Sequence, residues 1–341
     1  MQRKHIGKNR NMKLNLTRDP DLTKRILKMQ KIDIKKFISS PDTKFVDVRC
    51  PACDSSEKTF SFEKNRFNFS TCMKCETLFI NPRPDIKSLE QFYNQATWLD
   101  LWYNQLMKKS ESYRLKQIFM PRVKKIIGLC RKHKADFGTI LDIGAGNGIF
   151  AKEMMARHAF SRVVALEMSK VCCDECRKKG VETIESPVEK VSLKNISVIT
   201  AFELLEHIYS PKELLKTCHG ILNKNGLLIL TTPNIKGFDL MTLGKISDNI
   251  NGPNHLNYFN PKSIEIILNK TGFSVLEILT PGKLDAEIVR SKILSGKYKI
   301  DGNPFLKELL VDNWDCLHET FQDFLSKNRL SSHLWAVAIK R

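Results

Sequence analysis

The stretch Asp142-Ile-Gly-Ala-Gly-Asn-Gly148, entered from the apolar run Thr139-Ile140-Leu141, restricts the chain more than any other segment. Three glycines at alternate positions remove the Cβ from every second residue of a strand-to-helix turn. The backbone can then press against a ligand while the following helix offers unpaired N–H groups. The pattern predicts a nucleotide-type cofactor loop at the end of a strand. Its spacing separates it from the dinucleotide fingerprint G-x-G-x-x-G, which would place glycine where Ile149 stands.

Further apolar runs follow in an order that fits the same architecture. Ser161–Glu167 reads as a second strand ending in an acid, and a carboxylate there can take both ribose hydroxyls of a nucleoside. Asn195–Phe202 reads as a fourth strand and Gly226–Pro233 as a fifth, introduced by the turn Asn223-Lys-Asn-Gly226; Phe273–Leu279 and His333–Ile339 read as the last two. Apolar runs separated by helical stretches predict an α/β fold, a doubly wound parallel sheet covered on both faces. Residues 283–330 interrupt the final pair with helical periodicity. Helices over Asp285–Leu294 and Asn313–Leu325 are expected to form a lid over the sheet's carboxyl edge, with Trp314, Phe321 and Phe324 as its core.

Four cysteines carry the second strong pattern. Cys50-Pro-Ala-Cys53 and Cys72-Met-Lys-Cys75 each present two thiolates from one tight turn, and together they complete the tetrahedral four-cysteine shell of a zinc ribbon. A closed four-thiolate site has no open position, so its zinc is structural. Cys172-Cys-Asp-Glu-Cys176 lies in an expected helix, where Cys172 and Cys176 share a face and Cys173 points elsewhere; a buried apolar role is expected for this group.

The organisation expected is a basic arm over 1–44, the ribbon over 45–84, a helical linker over 85–134 and the α/β domain over 135–341. The arm holds 13 Lys/Arg against 4 Asp/Glu, a net +9 of the chain's +19, a charge suited to nucleic acid, anionic lipid or an acidic substrate, or to a solvated tail around an amphipathic helix at Leu22–Phe37. Asn81-Pro-Arg-Pro84 is expected to stop strand pairing and begin the linker. Phe92, Tyr93, Trp98, Trp102 and Tyr103 are expected to pack between ribbon and core. No apolar run approaches the ~20 residues needed to span a bilayer, and the first residues lack a signal-peptide core. A cytoplasmic location with reduced cysteines is therefore expected.

Glu203-Leu-Leu-Glu206-His207 follows the fourth strand. If a helix begins here, Glu203, Glu206 and His207 lie on one face and can jointly hold a hard divalent ion. Asn251-Gly-Pro-Asn-His255 adds a second imidazole in the turn-rich loop after the fifth strand. Both segments would sit at carboxyl ends of strands, where ligands bind in this class of sheet. His207 or His255 can accept a proton near neutral pH, and a metal could instead lower a hydroxyl's pKa and bind two neighbouring oxygens.

The glycine loop, with an acid two residues before its first glycine, resembles motif I of the class I S-adenosylmethionine-dependent methyltransferases. E-x-x-E-H, Thr232-Pro-Asn234 and His255-Leu-Asn-Tyr-Phe259 resemble the quinone-biosynthesis O-methyltransferases and their relatives. The pattern C-P-x-C, then C-x-x-C-x-x-x-F-x-N-P-R-P, then F-Y, resembles bacterial methyltransferases of polysaccharide and glycan biosynthesis clusters over about residues 46–341. These resemblances imply S-adenosylmethionine held by Asp142, Gly144, Ala145, Gly146, Glu167, Met168, Val188 and Phe202. Relatives often place an acid for the adenine amine where this chain has Ser186-Pro-Val188, which leaves backbone and apolar contacts for that ring. They imply Glu206, His207 and His255 in catalysis. In some relatives the E-x-x-E-H residues bind Mg²⁺, which would fall here on Glu203, Glu206, His207 and His255; in others they orient substrate or brace a helix.

The reading is a methyltransferase acting on an oxygen of a small-molecule acceptor, a sugar or glycan precursor. Two alternatives stand beside it. One is an RNA methyltransferase with an E-x-x-E-H metal site, favoured by the charge; the other is a zinc-ribbon interaction protein that binds S-adenosylmethionine without turnover.

Overall fold

The computed structural model describes residues 19–341, so the first 18 residues of the basic arm lie outside the described residues. The chain divides into two compact units. One holds the residues up to Phe45 together with Pro84–Pro187, the other Val46–Arg83 together with Val188–Arg341.

In the first unit, three parallel strands, Thr139–Ile143, Arg162–Glu167 and Glu182–Glu185, alternate with the helices Ile149–Ala156 and Lys170–Lys178. Register pairs Ile140 with Val163, Asp142 with Ala165 and Val164 with Glu182. The first two strands are apolar and buried. The third, Glu-Thr-Ile-Glu, is exposed at both ends and has a neighbour on one side within the unit, so it carries no apolar run to announce it.

The amphipathic helix expected near Leu22 spans Pro20–Ser39, its first turn capped by Asp19, whose carboxylate accepts from Leu22 N–H at 3.1 Å. Its buried Leu22 and Ile26 meet Trp98, Leu101 and Leu106, and Phe37 lies 5.0 Å from Phe92. Asp33 fastens the pair of helices by accepting from Thr97 N–H at 2.8 Å and Thr97 Oγ1 at 2.9 Å. Phe92 and Trp98 of the linker thus pack on the N-terminal helix, whereas Tyr103 stands beside Cys172 and Glu175 of the α/β core. An amphipathic face of that length needs an apolar partner, and the tryptophan-bearing helix supplies it.

In the second unit, Ile196–Phe202 and Leu222–Pro233 run parallel and are joined by the helix Pro211–Ile221. Leu222–Pro233 also pairs antiparallel with His333–Lys340, which pairs antiparallel with Phe273–Leu279. The turn expected at Asn223–Gly226 lies within the long strand, as an irregularity in register between Leu222 and Leu227. The helices Asp285–Leu294 and Trp314–Lys327 form as expected, and Trp314 and Phe321 pack against the cluster of Leu243, Ala286, Val289, Leu309 and Leu310. Phe324 does not belong to that core: it is 52% exposed.

The ribbon is built into this second unit. Its strands Lys58–Lys64, Phe67–Cys72 and Leu78–Ile80 form an antiparallel sheet whose outer member is Asn257–Tyr258, from a distant part of the chain. Arg83–Pro84, expected to end strand pairing, is itself a two-residue strand. The two knuckles repeat one geometry. Asp54 N–H donates to Cys50 O and Glu76 N–H to Cys72 O, both at 3.0 Å, and Asp54 and Glu76 adopt φ of 65° and 58°. Residues 212–270 grip both turns. Lys270 Nζ donates to Cys53 O at 2.6 Å, Lys262 Nζ to Lys74 O at 3.0 Å and Asn260 Nδ2 to Cys75 O at 2.9 Å. Lys212 pairs with Asp54, and Lys236 with Glu76 at 2.7 Å. Exposed pairs of this kind contribute roughly 0–1 kcal/mol each. The buried contacts weigh more: Phe67, Phe69, Phe79 and Ile80 are fully enclosed, and a Cβ on Gly252 would stand 2.8 Å from Ile80 Cδ1.

Sulfur separations are 3.4 Å for Cys50 and Cys75 and 3.5 Å for Cys53 and Cys72. A tetrahedral shell with Zn–S bonds of about 2.3 Å has an edge of about 3.8 Å. Thr77 Oγ1, 3.1 Å from Cys75 Sγ, braces one corner of the shell. The donor set fits zinc. Purified protein is expected to carry one zinc per chain by mass spectrometry, and Cys75→Ser to lose it. Stripping the metal should raise amide exchange at Asn257 and Tyr258 while Thr139–Ile143 stays protected; unchanged exchange at 257–258 would refute the dependence.

Candidate active site

The first unit supplies a donor loop. Gly144, Gly146 and Gly148 adopt φ of 72°, 55° and 73°, a region where an L side chain is strained. The three glycines are not equivalent. A Cβ on Gly148 would meet Cys176 Sγ at 2.8 Å and Cys176 Cα at 3.2 Å, whereas a Cβ on Gly146 would meet nothing within 4 Å. Gly148 therefore lets the helix Lys170–Lys178 approach, and Gly146 leaves the backbone open to a ligand. Cys172, Cys173 and Cys176 are all buried, as expected for the group. Burial pushes the Cys172 and Cys176 thiols up to about 12. They remain neutral packing groups.

Glu167 closes the loop. Its Oε2 accepts from Gly146 N–H at 2.9 Å, and its Oε1 accepts from Met168 N–H at 2.8 Å and Ser169 N–H at 3.0 Å. Asp142 is buried beneath the loop, Ala145 is half-buried and Met168 is 70% exposed. Val188 and Phe202 belong to the second unit, Val188 buried in a short helical turn and Phe202 with its ring 6.0 Å from that of Trp335.

The second unit supplies an acid and imidazole cluster. No helix begins at Glu203, contrary to expectation. Glu203 takes φ of 50°, and turn bonds from His207 N–H to Leu204 O and from Ile208 N–H to Leu205 O carry the chain to Ser210, ahead of the helix at Pro211. The turn sends the three residues different ways. Glu206 is 1% exposed, its Oε2 accepting from Thr232 Oγ1 at 3.0 Å, and its Oε1 lies 3.9 Å from His207 Nε2. His207 Nδ1 is 2.7 Å from Asn254 O, and His255 Nδ1 is 3.1 Å from Asn249 O. A carbonyl only accepts, so each Nδ1 carries the proton and each Nε2 offers a lone pair. The two rings meet edge to face, centroids 4.7 Å apart.

One ligand atom each from Glu206, His207 and His255 falls within a span of 4.8 Å. Burial drives the charged form of every member out. Glu206 is raised well above the carboxylate range by desolvation and then by the Glu203 charge; His207 is lowered by desolvation, and His255 is lowered to about 3 by desolvation and by His207. Tyr258 fixes the turn that carries His255, its hydroxyl accepting from Asn251 N–H at 2.8 Å and donating to Asn249 O at 3.2 Å.

Glu203 is not part of that trio. Its Oε1 accepts from Thr231 Oγ1 at 2.6 Å and lies 3.3 Å from His333 Nδ1, with both side chains partly exposed. His333 opens the last strand opposite Pro233. Sequence reasoning passed over it because it reads only as the polar start of an apolar run. Its antiparallel pairing with the strand that ends in Thr-Pro-Asn was the signal, and that pairing becomes visible only in the fold.

Residues 114–278 match the family model described as a methyltransferase domain. Among curated proteins, the ubiquinone biosynthesis O-methyltransferase of Actinobacillus pleuropneumoniae is 31% identical over 120 residues, covering 31% of this chain and 50% of that protein. The enzyme of the same description from Vibrio vulnificus is 31% identical over 125 residues, covering 33% and 52%. The chain therefore spans about half the length of the curated relatives it matches. Among solved structures, an S-adenosylmethionine-dependent methyltransferase from Clostridium acetobutylicum aligns at 13% identity and a TM-score of 0.45, covering 68% of this chain and 98% of that one. One from Archaeoglobus fulgidus aligns at 17% identity and a TM-score of 0.42, covering 67% and 99%.

The glycines generate a paired prediction. Gly146→Ala and Gly148→Ala each force a Cβ into left-handed backbone at a cost of roughly 1–2 kcal/mol. Gly148→Ala should lower the thermal midpoint further because of the Cys176 contact, and Cys176→Ala in the same chain should recover that excess. Equal destabilisation by the two single variants, with no recovery, would contradict the assignment.

Proposed function

We propose that this chain, which carries a methyltransferase domain over residues 114–278, transfers a methyl group from S-adenosylmethionine to a hydroxyl oxygen of a small-molecule acceptor. The donor loop fits that cofactor. Gly146 leaves room for it, and Glu167, with its ring of backbone donors, stands ready to exchange those bonds for ribose hydroxyls. Asp142, Gly144, Ala145 and Met168 complete the donor side, and Val188 and Phe202 are further residues that the family resemblance assigns to the cofactor. When bound, S-adenosylmethionine supplies an electrophilic methyl on a sulfonium.

The observation that carries the reading of the acceptor side is the convergence of Glu206, His207 and His255. A hydroxyl must shed its proton as its oxygen is alkylated, and the Nε2 atoms of His207 and His255 can take it. Their Nδ1 bonds to Asn254 O and Asn249 O hold both rings in the accepting tautomer. Glu206, fixed by Thr232 and 3.9 Å from His207 Nε2, can meet the same hydroxyl from the other side. Glu203 and His333 form a second acid and imidazole pair that can hold a neighbouring hydroxyl. An acceptor with two adjacent oxygens fits best, either a sugar diol or a dihydroxyaromatic. The relatives' printed activity, O-methylation, supports oxygen as the atom modified.

The trio also fits a divalent ion. Ligand bonds of about 2.0–2.2 Å place neighbouring donors roughly 3–4 Å apart, and Glu206 Oε1 and His207 Nε2 stand at 3.9 Å. Two imidazoles and one carboxylate suit Mn²⁺, Zn²⁺ or Fe²⁺ better than Mg²⁺, which prefers oxygen. Glu203, turned to Thr231 and His333, stays outside the set. The lysines that grip the ribbon are engaged with its acids and carbonyls, which weakens the case for an RNA-binding face there and for a ribbon free to recruit partners.

Labelled S-adenosylmethionine incubated with fractionated extract, a panel of sugar diols and a panel of dihydroxyaromatics tests the reading. Label on an oxygen of one panel supports it, whereas label on RNA, or no S-adenosylhomocysteine with any fraction, overturns it. His207→Ala combined with His255→Ala should lower kcat/KM on the order of 100-fold or more while leaving cofactor affinity unchanged. The pH profile carries a sign. Burial lowers His207 and His255 below the ordinary 6.5, so the basic forms persist to lower pH and the acid limb of kcat/KM should fall below pH 6.5. Activity insensitive to chelation, with the histidine requirement intact, would assign the trio to proton transfer alone.

A further inference from the structure

Arg83, between the two prolines of Asn-Pro-Arg-Pro, is 2% exposed and the largest fully buried side chain among the described residues. An enclosed guanidinium is penalised by several kcal/mol of desolvation, and a carboxylate is its usual compensation. Arg83 has neutral partners in its place. Nη1 donates to Tyr209 O at 3.0 Å, Nη2 donates to Asn257 Oδ1 at 3.1 Å, and the guanidinium carbon stands 5.6 Å from the Tyr209 ring centroid. Nε is buried without a hydrogen-bond partner. Burial lowers its pKa to about 10, so the charge persists at neutral pH.

The partners explain the placement. Asn257 Nδ2 donates to Leu205 O at 3.3 Å and to Ile208 O at 2.8 Å. Those carbonyls bracket Glu206 and His207. The carbonyl between them, Glu206 O, accepts from Leu256 N–H at 2.8 Å and Asn257 N–H at 3.1 Å. Arg83 therefore orients the Asn257 amide, with oxygen toward itself and nitrogen toward the turn, and fastens the end of the turn at Tyr209. A segment with no helix to align its peptides is held instead by one planar fork and one amide.

We propose that Arg83 is a positioning residue for the acceptor site, setting the geometry of Glu206 and His207 through Tyr209 O and the Asn257 amide. The inference rests on the reading that these two groups handle the acceptor, and its test has a readout that does not.

Histidine-labelled protein is compared as wild type, Arg83→Lys and Arg83→Met, with zinc content, thermal midpoint, ring resonances of His207 and His255, cofactor affinity and kcat measured on each. Arg83→Met is expected to keep its zinc and bind S-adenosylmethionine within twofold of wild type. Its His207 resonance should shift or broaden and its kcat fall on the order of 10-fold or more, because small displacements of reacting groups are expensive. Arg83→Lys, one donor in place of a fork, should fall between. Should Arg83→Met fail to fold, Arg83→Lys decides: intermediate His207 spectra at full zinc content support the proposal. Wild-type His207 spectra and kcat in Arg83→Lys, or in a folded Arg83→Met, overturn it. The resonances report on the positioning even if no acceptor is methylated, so failure of the proposed activity is separable from failure of this inference.

Discussion

The second unit depends on one small junction, the carbonyl oxygen of Glu206 accepting the backbone amides of Leu256 and Asn257. On one side lies the turn that carries Glu206 and His207; on the other, the loop that carries His255 and the two-residue strand that completes the ribbon's sheet. Two segments far apart in the chain share that point, and the second of them pairs with the ribbon. A backbone junction of this kind is insensitive to side-chain chemistry, so neighbouring positions are free to carry whatever acid or imidazole the reaction needs.

Burial then sets the character of the site. Glu206 is disfavoured as an anion, His207 and His255 as cations, and Tyr258 as a phenolate. Groups held neutral in this way receive a negative charge poorly, while the imidazole lone pairs can still take up a positive one. A proton arriving from an acceptor hydroxyl satisfies that condition, and so does a divalent ion. Either occupant would relieve the same electrostatic imbalance.

Much of this was legible in the sequence, for physical reasons that differ by element. The glycine loop and the two knuckles are local: their backbone demands are met by residues within a few positions, so spacing alone reveals them. Buried parallel strands announce themselves through unbroken apolar runs, as Ile196–Phe202 does, and the edge strand Glu182–Glu185 does not. The helix expected at Glu203 failed because helical spacing can be read from residue types, while the left-handed φ of Glu203 is imposed by its amide bonding to Thr231, 28 residues on. Arg83 and His333 were unreadable for the same reason. Each acts through partners supplied by register, Arg83 through Asn257 and His333 through the pairing that sets it opposite Pro233.

The shared strand at Asn257–Tyr258 bears on where this protein can be cut. The stretch that matches the methyltransferase family, 114–278, leaves out both the ribbon and His333–Lys340. A fragment with those boundaries would keep the glycine loop and the acid and imidazole trio, yet Tyr258 would lose its neighbours Phe69 and Leu78, and Leu227–Pro233 would present an unpaired apolar edge. Such edges recruit other chains. The family boundary marks inherited sequence, and the unit that folds is larger; an expression fragment should begin before Val46 and run through the final strand.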